Sequence, residues 1–159
     1  SGQTFKSNCH DCKGKGVINT RDEVQIVVPV GISNGDMLKV VGMGEAIKGG
    51  SAGDMYVKVR VESDKNWRRE GMDIVTTHNI KLSDALLGAT HTIDGMDGPI
   101  LIDIKEGVNT GDILTIKGRG VPSKDKWRGD ALIKINVLMP KKMSTKVRKI
   151  IESLKEEGL

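Results

Sequence analysis

The chain has 159 residues, of which 37% are hydrophobic, 29% charged and only 3% aromatic, and its formal net charge is +4. That length allows one domain or two small ones, with cores built of aliphatic side chains, because Phe5, Tyr56, Trp67 and Trp127 are the whole aromatic complement. Basic and acidic residues are interspersed, no apolar run approaches the roughly 18 residues of a membrane span, and no signal-peptide pattern opens the chain, so neither nucleic acid nor membrane is an expected partner.

Ser1-Gly2 has the form of a scar left by tag removal, which places the natural N-terminus and any targeting segment further upstream. The first chemical signal is "CHDCKGKGVI", Cys9 to Ile18, which holds both cysteines at C-x-x-C spacing ahead of Gly14 and Gly16. A short turn at this spacing sets two thiolates about one tetrahedral edge apart, but a structural zinc site needs four ligands. His10 lies between the thiols, and His78 and His91 are far along the chain. Three readings stand: half a zinc site at Cys9 and Cys12, redox thiols, or inert free cysteines. The redox reading wants a helix start behind the pair, and "KGKGVI" is a poor one.

Next come Val24, Ile26 and Val28, alternating at period two as a half-buried strand does. Asn34-Gly35-Asp36 supplies a turn before a short strand at Met37 to Val41, Gly42 and Gly44 suit close backbone approach, and a strand from Tyr56 to Val61 follows. This pattern recurs 76 residues later. "GISNGDMLKVVGMG" from Gly31 matches "GVNTGDILTIKGRG" from Gly107, and "GDMYVKVRV" from Gly53 matches "GDALIKINV" from Gly129, with ten identities in 23 ungapped positions. The chain therefore contains two copies of one β-unit. A phosphate cradle at the glycines is disfavoured, because no helix opening on Lys-Ser/Thr follows them.

Between the copies lie a strand-like "DIVTTHNI", a short helical "LSDALLG" and an extended piece from Ala89 to Ile93. The second copy then opens with Ile100, Ile102 and Ile104 in alternation, continues through a strand at Ile113 to Lys117, and ends on Leu132 to Leu138. The counterpart of the Asp73 to Gly98 stretch falls almost entirely before residue 23. The first unit is thus expected to lack its opening strands and helix, leaving a sheet edge open or borrowed. After Pro140, Val147, Ile150, Ile151 and Leu154 fall at i, i+3, i+4 and i+7 behind a capping Ser144, which predicts an amphipathic helix. Its apolar stripe either covers its own sheet or makes a dimer contact.

"CHDCKGKG" together with the duplicated G-x-x-x-GD-x-L-x-x-x-G-x-G blocks, and with "NWRREGMDI", "LSDALLG" and "GDALIKINVLMP" in that order, resembles the C-terminal half of the J-domain co-chaperones of the DnaJ type. The resemblance covers nearly the whole chain. It implies a mostly β fold: two tandem homologous small β-sandwich-like domains, each with a short helix in its complete form, plus a C-terminal helix. The implied layout is tag scar and remnant of the cysteine-rich zinc region at 1–22, a partial first β-domain at 23–65, a second at 66–140, and a dimerisation helix at 141–159.

The implied activity is binding of unfolded polypeptide and its delivery to a DnaK-type ATPase chaperone, with no enzymatic chemistry of its own and with homodimerisation through Val147, Ile150, Ile151 and Leu154. The family's four cysteine repeats bind two zinc ions; Cys9 and Cys12 match the last repeat, so zinc belongs to the intact protein and is expected to be absent or partial here. The J-domain and its His-Pro-Asp motif are absent from this chain, and Lys65-Asn66 stands where the family has His-Pro before an aromatic. Part of the family's peptide groove precedes the cysteine repeats, which leaves Val24, Ile26 and Val57 as the client-binding positions carried over, with Leu132, Ile133 and Ile102 as weaker candidates. A cytoplasmic or organellar (mitochondrial or plastid) location is expected. Two other classes compete: a zinc-dependent nucleic-acid module, which would want stacking aromatics among basic residues, and a thiol-disulfide oxidoreductase using Cys9 and Cys12.

Overall fold

An alternating apolar segment becomes a strand only where a partner offers it hydrogen bonds, and the two copies differ in how many partners they have. In the computed structural model, which describes residues 9–125 and 127–158, the chain divides after Glu62 into two compact units. The Ser1-Gly2 scar and Phe5 lie outside the described residues.

Among the described residues the first unit contains one antiparallel pair, β1 (Met37–Val40) with β2 (Met55–Lys58). The second holds β3 (Arg68–Glu70), β4 (Asp73–Lys81), α1 (Leu82–Leu87), β5 (Ala89–Gly95), β6 (Gly98–Ile104), β7 (Ile113–Ile116), β8 (Ala131–Leu138) and α2 (Thr145–Glu156). Its main sheet has the order β3-β4-β8-β7, with β4 and β8 parallel and the other neighbours antiparallel. The β5–β6 hairpin forms a separate layer. Between the layers Ile100, Ile102 and Ile104 of β6 pack with Ile80, Ile133 and Ile135 of the sheet and Ala85 of α1. Every fully buried large side chain is an isoleucine, so the core is aliphatic, as the shortage of aromatics requires. The fold is mostly β, and the second unit has two packed layers in the manner of a sandwich.

The repeat is a repeat of hydrogen bonds as well as letters. Met37 pairs with Lys58 as Ile113 pairs with Lys134. Asp36 Oδ2 accepts from Ser33 N at 2.8 Å, and Asp112 Oδ2 accepts from Asn109 N at 2.8 Å. Gly42 N donates to Asp54 Oδ1 at 3.0 Å, and Gly118 N to Asp130 Oδ1 at 2.8 Å. Val61 N donates to Asn34 Oδ1, and Val137 N to Thr110 Oγ1, both at 3.0 Å. The conserved-in-repeat Gly-Asp pairs are thus turn clamps: the carboxylates hold the loops that enter and leave each hairpin.

One expectation fails. Val24 to Val28 is not a strand. Its counterpart β6 pairs with β5 from Ala89 to Gly95, and the positions 76 residues before β5 run from Lys13 to Asn19. There the chain is committed to the cysteine turn, with φ of 47° at Lys13, 86° at Gly14 and 79° at Gly16. Left-handed backbone cannot carry a ladder, so the segment has no partner on that side. The strand expected from Tyr56 to Val61 is shorter, ending at Lys58, although Val59 N still donates to Asp36 O at 2.8 Å.

Candidate functional site

Three features of the chain carry recognisable chemistry, and the first is a set of apolar side chains in the first unit. Leu38 stands opposite Val57 and Val40 opposite Met55, all four half-buried on one side of the β1–β2 hairpin. In the second unit the matching residues are Leu114, Ile133, Ile116 and Ala131, with Ile133 and Ala131 at 0% exposure. What buries them is the β6 layer, where Ile100, Ile102 and Ile104 are at most 4% exposed. Their matches are Val24, Ile26 and Val28, and here the alternation gives no core: Val24 is half-buried, Ile26 is 37% exposed and Val28 57%. The same pattern that closes the second unit leaves these apolar side chains of the first accessible to water.

The hairpin also presents an edge. In the second unit β4 runs parallel beside β8 from Ile74 with Ala131 to Lys81 with Leu138. The matching edge of β2 carries no strand among the described residues. Main-chain groups along such an edge can accept an extended peptide whatever its sequence.

The client-binding positions read from the sequence therefore separate into two kinds. Val24, Ile26 and Val57 lie in the first unit with apolar surface accessible. Ile102 and Ile133 lie inside the core of the second, and Leu132 is half-buried on β8.

The second feature is the cysteine turn. Lys13 N donates to Cys9 O and Lys15 N to Cys12 O, each at 2.8 Å. Backbone N–H groups of Cys12 and Asp11, and then the Cys12 thiol, hydrogen-bond the Cys9 sulfur and hold its pKa below the ordinary thiol value. Donors aimed at sulfur favour thiolate, the form that binds metal. Both thiols are free, and no group of three or more metal-ligating side chains exists among the described residues. Two thiols are too few for a tetrahedral structural zinc site, which takes four ligands.

The third feature is α2. Ser144 Oγ accepts from Val147 N and caps the helix, as expected. No residue of the helix is buried, and Val147, Ile150, Ile151 and Leu154 are 39–53% exposed. The stripe does not cover its own sheet.

Comparison with known proteins gives the family. A family model described as the DnaJ C terminal domain matches residues 3–140. The chain belongs to the DnaJ C-terminal domain family. Among curated relatives it is 36% identical over 155 residues to the chaperone protein DnaJ of Gloeothece citriformis, covering 96% of this chain and 41% of that one. It is 35% identical over 160 residues to DnaJ of Leptospira biflexa (99% and 43%) and 32% identical over 157 residues to DnaJ of Acetivibrio thermocellus (98% and 41%). The chain thus spans about two fifths of the length of these DnaJ proteins. No helix among the described residues is long and apolar enough to cross a membrane.

One arrangement was not read from the sequence: in the second unit His78 and His91 are hydrogen-bonded, and the far nitrogen of His91 lies 3.3 Å from Asp84 Oδ2. Period two does place His78 inward with Ile74 and Ile80, and His91 inward with Ile93. Which inward residue meets which is a matter of how the hairpin sits on the sheet, and no local pattern encodes that.

Proposed function

We propose that this chain is the client-binding part of a DnaJ-type co-chaperone, which holds non-native polypeptide on the open apolar face of its first unit and passes it to a DnaK-type ATPase chaperone. The observation that carries the reading is the contrast between Ile100, Ile102 and Ile104, sealed in a core, and Val24, Ile26 and Val28, left accessible at matched positions. An apolar face beside an unpaired strand edge suits a client that is extended, apolar at alternate positions and otherwise unspecified. Val24, Ile26 and Val57 supply the pockets, and the β2 edge supplies main-chain hydrogen bonds. No catalytic step is assigned, and binding is weak and loosely selective. The exposed stripe Val147, Ile150, Ile151 and Leu154 is the dimer contact. Zinc belongs to the intact protein, with Cys9 and Cys12 as two of four ligands.

The test is titration of a fluorescent, reduced unfolded protein with the chain and with Ile26→Asp/Val57→Asp. Expected is binding to the wild type and a loss of about tenfold, or roughly 1.4 kcal/mol, in the double variant. Equal binding by both, or none by either, removes the reading. The lowered Cys9 pKa keeps one alternative alive, a thiol-disulfide oxidoreductase. Insulin reduction that disappears in Cys9→Ser would favour it over client holding.

A further inference from the structure

The β5–β6 hairpin is the layer that seals the second unit, and two imidazoles join it to the sheet beneath. His78 Nε2 on β4 and His91 Nδ1 on β5 are 2.8 Å apart, with the rings edge to face at 88° and centroids 5.1 Å apart. The far nitrogen of His91, Nε2, is 3.3 Å from Asp84 Oδ2 on α1. At 2.8 Å there is room for one hydrogen between the rings and not two. Two fillings satisfy every group. With both rings neutral, His78 donates to His91, whose other N–H faces Asp84. With one proton added, His91 is the imidazolium, donating on one side to neutral His78 and on the other to the carboxylate. A second proton puts N–H against N–H across 2.8 Å, and the contact must open.

The surroundings oppose that second proton further. His78 faces Ile135 across the β4–β8 ladder, and His91 faces Ile102 across the hairpin, so neither β8 nor β6 presents a charge to the pair. The charged groups nearby are Asp84 from α1 and, across a cleft of about 490 Å³ that His78 lines, Lys65 from the segment before β3 and Asp94 of β5. On β3, Arg68 and Glu70 pair with each other at the surface. Burial, followed by repulsion from His91, holds the His78 pKa below the ordinary histidine value.

We propose that His78 and His91 form an acid-sensitive latch that fastens the β5–β6 hairpin to the main sheet with at most one shared proton and releases it when a second proton is forced on the pair. The released end is the one beside α1. The turn end keeps its own fastenings, since Trp67 Nε1 donates to Asp94 O at 2.9 Å and Arg128 Nη2 meets Asp97 Oδ2 at 2.5 Å. Opening there loosens the cover over Ile102 and Ile104 and adds accessible apolar surface to the second unit in acid, where the first unit already has it.

Amide hydrogen exchange by NMR on the intact chain tests this, with rates corrected for the intrinsic effect of pH. Amides of 89–92 and 102–104 should exchange about tenfold faster at pH 5 than at pH 7.5, while those of 113–116 change little. His91→Gln, which can still hydrogen-bond His78 but cannot take a proton, should abolish the acceleration, and His78→Gln serves if the first variant does not fold. Ring proton shifts should show the pair taking up its protons in two coupled steps. Acceleration that persists in the Gln variant, or two independent titrations in the ordinary histidine range, overturns the latch.

Discussion

Ile26 and Ile102 occupy the same place in the two copies, and replacing each by alanine measures how differently the copies are built. Ile102 is fully buried between the layers of the second unit. Truncation removes three carbon groups at about 0.8 kcal/mol each and leaves a cavity whose walls belong to a sheet and a hairpin that cannot readily collapse, so the loss should be about 3–4 kcal/mol. Ile26 keeps 37% of its surface in water and sits in no ladder, so the same change should cost under about 1 kcal/mol. Urea unfolding followed by far-ultraviolet circular dichroism registers both units. Tryptophan fluorescence isolates the second, since Trp67 packs on its core. Ile102→Ala should lower the midpoint of both signals, and Ile26→Ala should barely move either while weakening client binding. A large midpoint shift from Ile26→Ala would mean that the first unit is closed around that side chain, and the contrast on which the proposed function rests would be gone.

Gly129→Ala should destabilise by more than about 3 kcal/mol, because a Cβ there would lie 1.9 Å from Met72 O; Gly53→Ala, whose Cβ would meet nothing nearer than Glu45 O at 3.9 Å, should be nearly neutral in the same thermal melts. Asp64 accepts from Asn66 N and Trp67 N, bonds that lower its pKa from 3.8. A depressed carboxyl stabilises above its unfolded value and loses that contribution as pH falls through the folded one, so Asp64→Asn should lower the melting temperature slightly at pH 7, converge with the wild type well below about pH 4, and so flatten the acid limb of thermal stability. Ile150→Asp, placing a charge in the middle of the exposed α2 stripe, should shift the sedimentation of the chain toward monomer while its melting is unchanged. Unaltered sedimentation would remove the dimer assignment.

Most of the second unit was legible in the sequence because its local patterns agree with its tertiary partners. The alternation at Ile100, Ile102 and Ile104 is a buried strand, "LSDALLG" is a helix ended by Gly88 at φ 75°, and the Asn/Thr-Gly-Asp turns hold where they were expected. The stretch at Val24 misled because period two reports only that alternate residues are apolar. Whether they are buried depends on a ladder partner, and the partner positions in this copy are occupied by the left-handed turn that serves the cysteines. The histidine pair was invisible for a related reason: each imidazole looks like an ordinary inward residue until the two layers are superposed.

The two copies therefore amount to an internal control on what an alternating apolar segment is worth. Backbone hydrogen bonds to Asp36 and Asp112, and to Asp54 and Asp130, reproduce the hairpin frame in both units, so the frame does not require a covering layer. What the covering layer adds is burial. The strand beside β8 adds a steric demand of its own: Gly129 must be glycine because Met72, just ahead of β4, crosses it, while a Cβ at Gly53 would meet nothing nearer than Glu45 O at 3.9 Å. The matched residues Val57 and Ile133 then differ in exposure although the hairpin register is the same, Leu38 standing across from one and Leu114 from the other, and Ile133 also pairs with Thr76 of β4 on its other side. An apolar residue held on a fixed frame and left without its cover costs about 25 cal/mol for each Å² that water touches, and any segment that supplies the missing layer recovers that energy. The requirement on such a segment is the one β6 meets in the second unit, apolar side chains at every other position, and that is the chemistry the proposed function asks of a client.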